Sequence, residues 1–259
     1  MSSRPVMIRL LGAAAAVERS HDTHGRASQP RRLALIALLA IARDSGVSRA
    51  EASSLLWRDA HPVRQRELLA DLVAVLRAEF GSAAIVDHDD MLRLDTNRVT
   101  ADVIEFEGAA DAGDLSKAAA VYGGEFLEGF FLEDSVDFEQ WASDQRIRLT
   151  HRAETVLDDL AAQARENGDT HRMMRALQRR AEIEPYASAP TLNLMHALEA
   201  AGEAHAALRV GRSYESRIRT YLETDPSPEV LSETRRLRAI VGPLATPSSG
   251  NPANNGEKR

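Results

Sequence analysis

Apolar positions along this chain change period several times, and each change marks an element. Val6, Ile8 and Leu10 alternate on one face and are followed by Gly12, which predicts an early strand. Residues 18–29 are mostly polar, so Ser20–Ser28 reads as a connection between an early strand pair and the first helix. From Pro30 the period becomes helical: Leu33, Ile36, Ala37, Ala40 and Ile41 share a face, Pro30 suits a first turn, and Asp44-Ser45-Gly46 ends the run. Ser48 with Glu51 three residues on predicts a capped short helix that buries Ala52, Leu55 and Leu56 and leaves Trp57 at its edge. After Asp59–Pro62 a third helix runs to Phe80 on Leu69, Leu72, Val73 and Leu76, and Gly81 stops it. Residues 84–86 and 91–94 bracket Asp87-His88-Asp89-Asp90, the pattern of a hairpin.

A helix is expected over Asp102–Gly113, and from there to Ile240 the chain reads as almost entirely helical. Between Tyr122 and Trp141 a helix end, a glycine-loosened turn and a new helix start are marked by Gly123, Gly124, Gly129 and five aromatic anchors, Phe126, Phe130, Phe131, Phe138 and Trp141, expected to fill one corner. Gly168 and Gly202 lie 34 residues apart, the period of tetratricopeptide repeats, and Leu160-Ala161 before the first turn have counterparts in Leu194-Met195 before the second. Beyond Val241, Pro, Ser, Asn and Gly displace large apolar residues, so 242–259 is expected to be a disordered tail.

Two sets of residues resemble SARP-type antibiotic regulatory proteins. Tyr122-Gly-Gly-Glu-Phe-Leu-Glu-Gly-Phe-Phe131 and Leu222–Leu231 resemble the opening and closing segments of the bacterial transcriptional activator domain. Arg9-Leu-Leu-Gly12, Arg31–Leu39, Val47-Ser-Arg49, Leu55-Leu-Trp57 and Leu76-Arg77 resemble the DNA-binding half of the same regulators. The resemblance runs from about Arg4 to Glu233 and implies a mainly α protein: a winged helix-turn-helix domain over 1–100, then an all-α TPR-like helical repeat domain over 101–241.

It also implies a regulator that binds double-stranded promoter DNA through the winged helix. The repeats would then serve for a homodimer or for contacts with RNA polymerase or another protein. The cationic candidates for DNA are Arg31, Arg32, Arg49, Arg64, Arg66 and Arg77. Opposite the apolar face of the third helix, however, stand Glu67, Ala70, Asp71, Ala74 and Ala78, and the hairpin adds Asp87, Asp89 and Asp90. Carboxylates at both places oppose phosphate contact, and Leu68 and Val75 on a second flank fit a protein contact better than a duplex. A protein-interaction scaffold that keeps both folds without useful DNA affinity is therefore the alternative.

Charge sharpens the contrast between the two parts. Residues 1–100 carry 14 Arg against 12 acids, whereas residues 101–259 carry 18 Lys plus Arg against 27 acids. The acidic set Glu125, Glu128, Glu133, Asp134, Asp137 and Glu139 reads as a solvated rim or as a surface for an Arg-rich partner. The chain has no cysteine, which excludes disulfides and thiolate metal sites, and no apolar run approaches a bilayer span, so a cytoplasmic protein is expected. His21 and His24 lack a convincing third protein ligand. With no phosphate-binding glycine loop and no nucleophile elbow, neither an enzyme nor a cofactor is expected.

Overall fold

The computed structural model describes residues 5–12 and 29–242. The expected connection Ser20–Ser28, the His21–His24 pair and the tail after Gly242 lie outside the described residues. Two compact units divide the chain, residues 1–163 and 164–259, with the boundary inside one long helix.

In the first unit, β1 (Val6–Ile8) is followed by α1 (Gln29–Ala42), β2 (Val47–Ser48), α2 (Arg49–Leu56), α3 (Pro62–Phe80), β3 (Ile85–His88), β4 (Met91–Leu94) and β5 (Val99–Ala101). The helical segment continues with α4 (Asp102–Asp111), α5 (Leu115–Val121) and α6 (Val136–Glu166). The predicted caps form: the Ser48 hydroxyl accepts the Glu51 N–H at 3.1 Å, and Gly81 ends α3 at φ 104°. Leu69, Leu72, Val73 and Leu76 are buried as their spacing predicts, against a fully buried α1 face that includes Leu35 and Leu39.

Two pairings were not anticipated. Strand β1 runs parallel to β5, with Val6 opposite Val99 and Ile8 opposite Ala101. The two-residue β2 joins the hairpin to give the order β2-β4-β3. Single strands of two or three residues leave little period to read, and their partners lie far along the chain.

Past β1 the chain continues into the aromatic corner. The Gly12 N–H donates to Glu125 O at 2.9 Å and the Leu127 N–H to Leu10 O at 2.7 Å. Close approach explains the glycine pair here: a Cβ on Gly123 would stand 2.8 Å from Leu11 O, and one on Gly124 would stand 2.9 Å from Gly12 Cα. Phe126 and Phe138 are fully buried, with Trp141 packing at ring-centroid distances of 6.0 and 5.3 Å and Phe130 lying 6.1 Å from Phe138. Arg146 of α6 pins this corner by donating to Phe126 O at 3.0 Å, Phe130 O at 3.3 Å and Leu127 O at 3.4 Å. Phe131 does not join the corner as expected: its ring is 65 % exposed, because the turn buries the next residue, Leu132, in its place.

The Asp102 carboxylate, at the start of α4, accepts the backbone N–H groups of Leu10 at 2.8 Å, Leu11 at 3.1 Å and Val103 at 2.8 Å. Burial pushes this carboxyl above its ordinary value, while the three N–H donors and Arg9 pull it down less strongly. At the other end of α4, Asp111 receives Arg43, just past α1, at 2.9 Å and Arg152 of α6 at 2.8 Å.

The second unit consists of the end of α6, then α7 (Thr170–Ile183), α8 (Ser188–Ala200), α9 (Ala204–Arg217) and α10 (Pro228–Val241), with a π-helical turn over Ile218–Leu222. Both ends of α9 are displaced 34 residues from those of α7, and Gly168 and Gly202 take φ 70° and 81° at the matching turns. The repeat read from two glycines is thus a repeat of whole helices. Gly211 marks where α9 meets α8 and α10 closely: a Cβ there would fall 2.3 Å from Thr234 Oγ1 and 2.9 Å from Met195 Cε.

Two outcomes follow for stability. Gly211→Ala should lower the unfolding free energy by about 1–3 kcal/mol through overpacking, read as a fall in the urea midpoint with little change in slope. Because the folded pKa of Asp102 lies above its unfolded value, its favourable contribution is complete below the ordinary carboxylate pKa and is lost as pH rises through the folded one. The stability of the wild type minus that of Asp102→Asn should therefore grow as pH falls from neutrality. A difference that shrinks would show that the three N–H groups outweigh burial.

Candidate nucleic-acid interface

Helix α3 is the element a winged helix offers to DNA, and α2 with the β3–β4 hairpin flanks it. Its start is capped by His61 Nδ1, which accepts the Val63 N–H at 3.4 Å, with Pro62 in the first turn. The outward face carries Arg64, Glu67, Ala70, Asp71, Ala74 and Ala78, all exposed, as the helical period predicts. The wing is a two-residue turn in which Asp89 and Asp90 both take positive φ, 51° and 66°, the conformation of a type I′ hairpin. Turn geometry thus accounts for these two aspartates without any ligand.

The six candidate arginines occupy different environments. Arg77 donates from Nε and one terminal nitrogen to Ile85 O, at 3.1 and 2.8 Å, and so fastens α3 to the wing strand. Arg49 at the start of α2 pairs with Asp87 of the wing, and hydrogen bonding to that guanidinium holds the Asp87 carboxyl below its ordinary range. One wing carboxylate is thereby neutralised locally. Arg31 donates to Leu56 O at 3.3 Å and lies 5.8 Å over the Trp57 ring, while Arg32 faces Glu79 at 3.6 Å. Arg64 pairs with Glu67 at 3.0 Å, and the Nε of Arg66 donates to Pro62 O at 3.3 Å. Arg64 and Arg66 are both exposed, and they stand in the first turns of α3, where the helix dipole favours anions.

Sequence reasoning passed over Arg93, exposed on β4, and Arg98, exposed just before β5. Period-2 alternation in Met91–Leu94 was the available signal for Arg93, since it places that side chain opposite the buried Leu92. The second flank of α3 does differ from its outward face. Leu68, Leu72 and Val75, together with Trp57, Arg31, Arg32 and Asp71, line a cleft of about 280 Å³.

Among the described residues no group of three or more His, Asp or Glu is placed to hold a metal ion, and no helix is long and apolar enough to cross a membrane.

A winged helix followed by TPR-like helical repeats is the architecture of a bacterial transcription regulator, in keeping with the resemblance to SARP-type proteins. The chain belongs to the bacterial transcriptional activator domain family, whose model matches residues 86–238. Mycobacterium tuberculosis EmbR, solved in complex with a low-affinity phosphopeptide, shares the fold with a TM-score of 0.55 at 20 % identity, over 93 % of this chain and 67 % of that one. No curated protein matches the chain significantly.

Replacing Arg77 by Met should remove both bonds to Ile85 O while keeping most of the side-chain volume. A loss of about 1.5–3 kcal/mol is expected for a charge-assisted contact, measured by urea unfolding, with faster hydrogen exchange in β3 and β4.

Proposed function

We propose that the chain is a SARP-like transcription regulator whose winged helix, within residues 1–100, binds promoter DNA. The helical repeats of 101–241 would mediate dimerisation or contacts with partners such as RNA polymerase. The observation that carries this reading is the pair of exposed guanidinium groups, Arg64 and Arg66, on the outward first turns of α3. The Arg64–Glu67 ion pair is exposed on both sides, at 59 % and 56 % of the side chains, so it is worth at most about 1 kcal/mol and yields to a phosphate at little cost. In this reading Arg31, Arg32 and Arg49 fix the register of the first two helices on the backbone, and Arg77 holds the wing at its working angle.

One specific observation favours a second reading, a protein-interaction scaffold. Glu67, Asp71, Asp89 and Asp90 put carboxylates on the surfaces a duplex would approach. Titration of the full chain with a random-sequence duplex pool across a range of salt concentrations separates the two. The regulator predicts binding at low salt, with Arg64→Ala and Arg66→Ala each weakening it and reducing the salt slope by about 1. No binding at low salt would leave the scaffold.

A further inference from the structure

Two features of the first unit, an apolar cleft and an outward-turned aromatic, are left unused by the reading above, and each supplies what the other lacks. The first is the cleft beside α3, lined by the apolar Trp57, Leu68, Leu72 and Val75 and by Arg31, Arg32 and Asp71. Arg32 contributes a guanidinium whose Nε is buried without a hydrogen-bond partner. Each arginine keeps further N–H donors beyond the contacts already described. The second is the turn before α6, where Phe131 is 65 % and Val136 75 % exposed. Glu133 and Asp134 follow the ring, both exposed and neither in an ion pair among the described residues, and Asp134 takes φ 65°. A large aromatic held out in water beside two carboxylates complements a mainly apolar cleft whose lining holds two guanidinium groups against the one carboxylate of Asp71.

Size and position agree with this match. An apolar cavity of about 150 Å³ accepts benzene, so the cleft of about 280 Å³ admits one phenyl ring. The Ser135 hydroxyl donates to Leu55 O, and Arg58 pairs with Asp137. These bonds hold the turn against the end of α2, next to the Trp57 wall of the cleft, although Phe131 is not among the residues that line it. Knob and hole therefore lie in the same unit, joined through the end of α2. A two-fold axis lets each copy give its knob to the other's hole.

We propose that a second copy of this chain occupies the cleft, its Phe131 ring seated between Trp57 and Val75 and its Glu133 and Asp134 paired with Arg31 and Arg32. The contact takes up Arg31 and Arg32, so it competes with their role on the DNA backbone and leaves Arg64 and Arg66 to the duplex; loss of binding by Arg64→Ala and Arg66→Ala and loss of the dimer are therefore read separately. Sedimentation velocity of the full chain across the micromolar range tests it. The wild type should show a concentration-dependent dimer. Phe131→Asp in the knob and Val75→Arg in the hole should each raise the dimer dissociation constant at least about tenfold, as expected for losing a buried anchor. Both positions face solvent in the single chain, so melting of dilute protein should be unchanged. Glu133→Gln with Asp134→Asn should weaken the dimer less, and added salt should weaken the wild type but hardly affect this neutral variant. A chain that stays monomeric throughout, or a dimer indifferent to both Phe131→Asp and Val75→Arg, would overturn the proposal.

Discussion

The carboxylate of Asp102 gathers three backbone N–H groups, two from consecutive residues 92 and 91 positions earlier in the chain and one from its own helix. Leu10 and Leu11 are buried where β1 has ended its pairing with β5, so their N–H groups need another acceptor, and an orphaned buried donor would cost about 1–3 kcal/mol. A single carboxylate at the first turn of α4 supplies it, helped by the helix dipole. The chain then runs on into the bonds between Leu10, Gly12 and the turn at Glu125–Leu127. The amino-terminal strand thereby closes against the opening of the activator segment. Asp111, at the far end of the same helix, ties Arg43 to Arg152. Helix α4 is clamped at both ends, and this explains why the winged helix and the start of the helical segment form one compact unit.

That constraint bears on how the arginines are used. Within a unit of short strands and short connections, several guanidinium groups replace missing backbone partners. Arg77 serves Ile85, Arg31 serves Leu56, and Arg146 serves three carbonyls of the aromatic corner. A guanidinium that commits two donors to one half-buried carbonyl, as Arg77 does, is costly to recruit to phosphate, because the carbonyl is then left unpaired, whereas Arg31 gives Leu56 O a single N–H and keeps its other donors. An exposed cation at a helix start has no such obligation. The same distinction explains the wing, where Arg49 offsets Asp87 and the two turn aspartates are required by their positive φ.

Much of this was legible in the chain. The limits of α1, α2 and α3 follow from Pro30, Ser48, Pro62 and Gly81, because caps and apolar period point to the same boundaries. The 34-residue offset of Gly168 and Gly202 disclosed the repeat, since a turn that needs positive φ recurs only when the helices around it do. What escaped was non-local. Pairing of β1 with β5 and the role of Asp102 depend on partners more than 90 residues away. The exposure of Phe131 escaped for a related reason: aromatic composition shows that a corner exists, but the path of a turn with positive φ at Leu127 and Asp134, 53° and 65°, buries Leu132 and leaves its neighbour outside.

Charge, too, is more local than a two-way division of the sequence indicates. Residues 101–163 carry 15 acids against 4 bases, whereas residues 164–242 carry 12 Arg against 11 acids. The acidic excess therefore belongs to the segment around the aromatic corner and not to the repeats, which are close to neutral. Several of its carboxylates are matched within the unit: Asp111 by two arginines, Glu107 by Arg148, Glu105 by Lys117 and Asp137 by Arg58. Glu133 and Asp134 are not, and they stand beside the one phenylalanine that the corner turns outward. Unmatched charge is inexpensive in water and an exposed ring is common enough alone. Together on a turn held by Ser135 and Asp137 they form a surface that favours a partner both apolar and cationic, and the cleft beside α3 offers an apolar lining with two arginines against one aspartate.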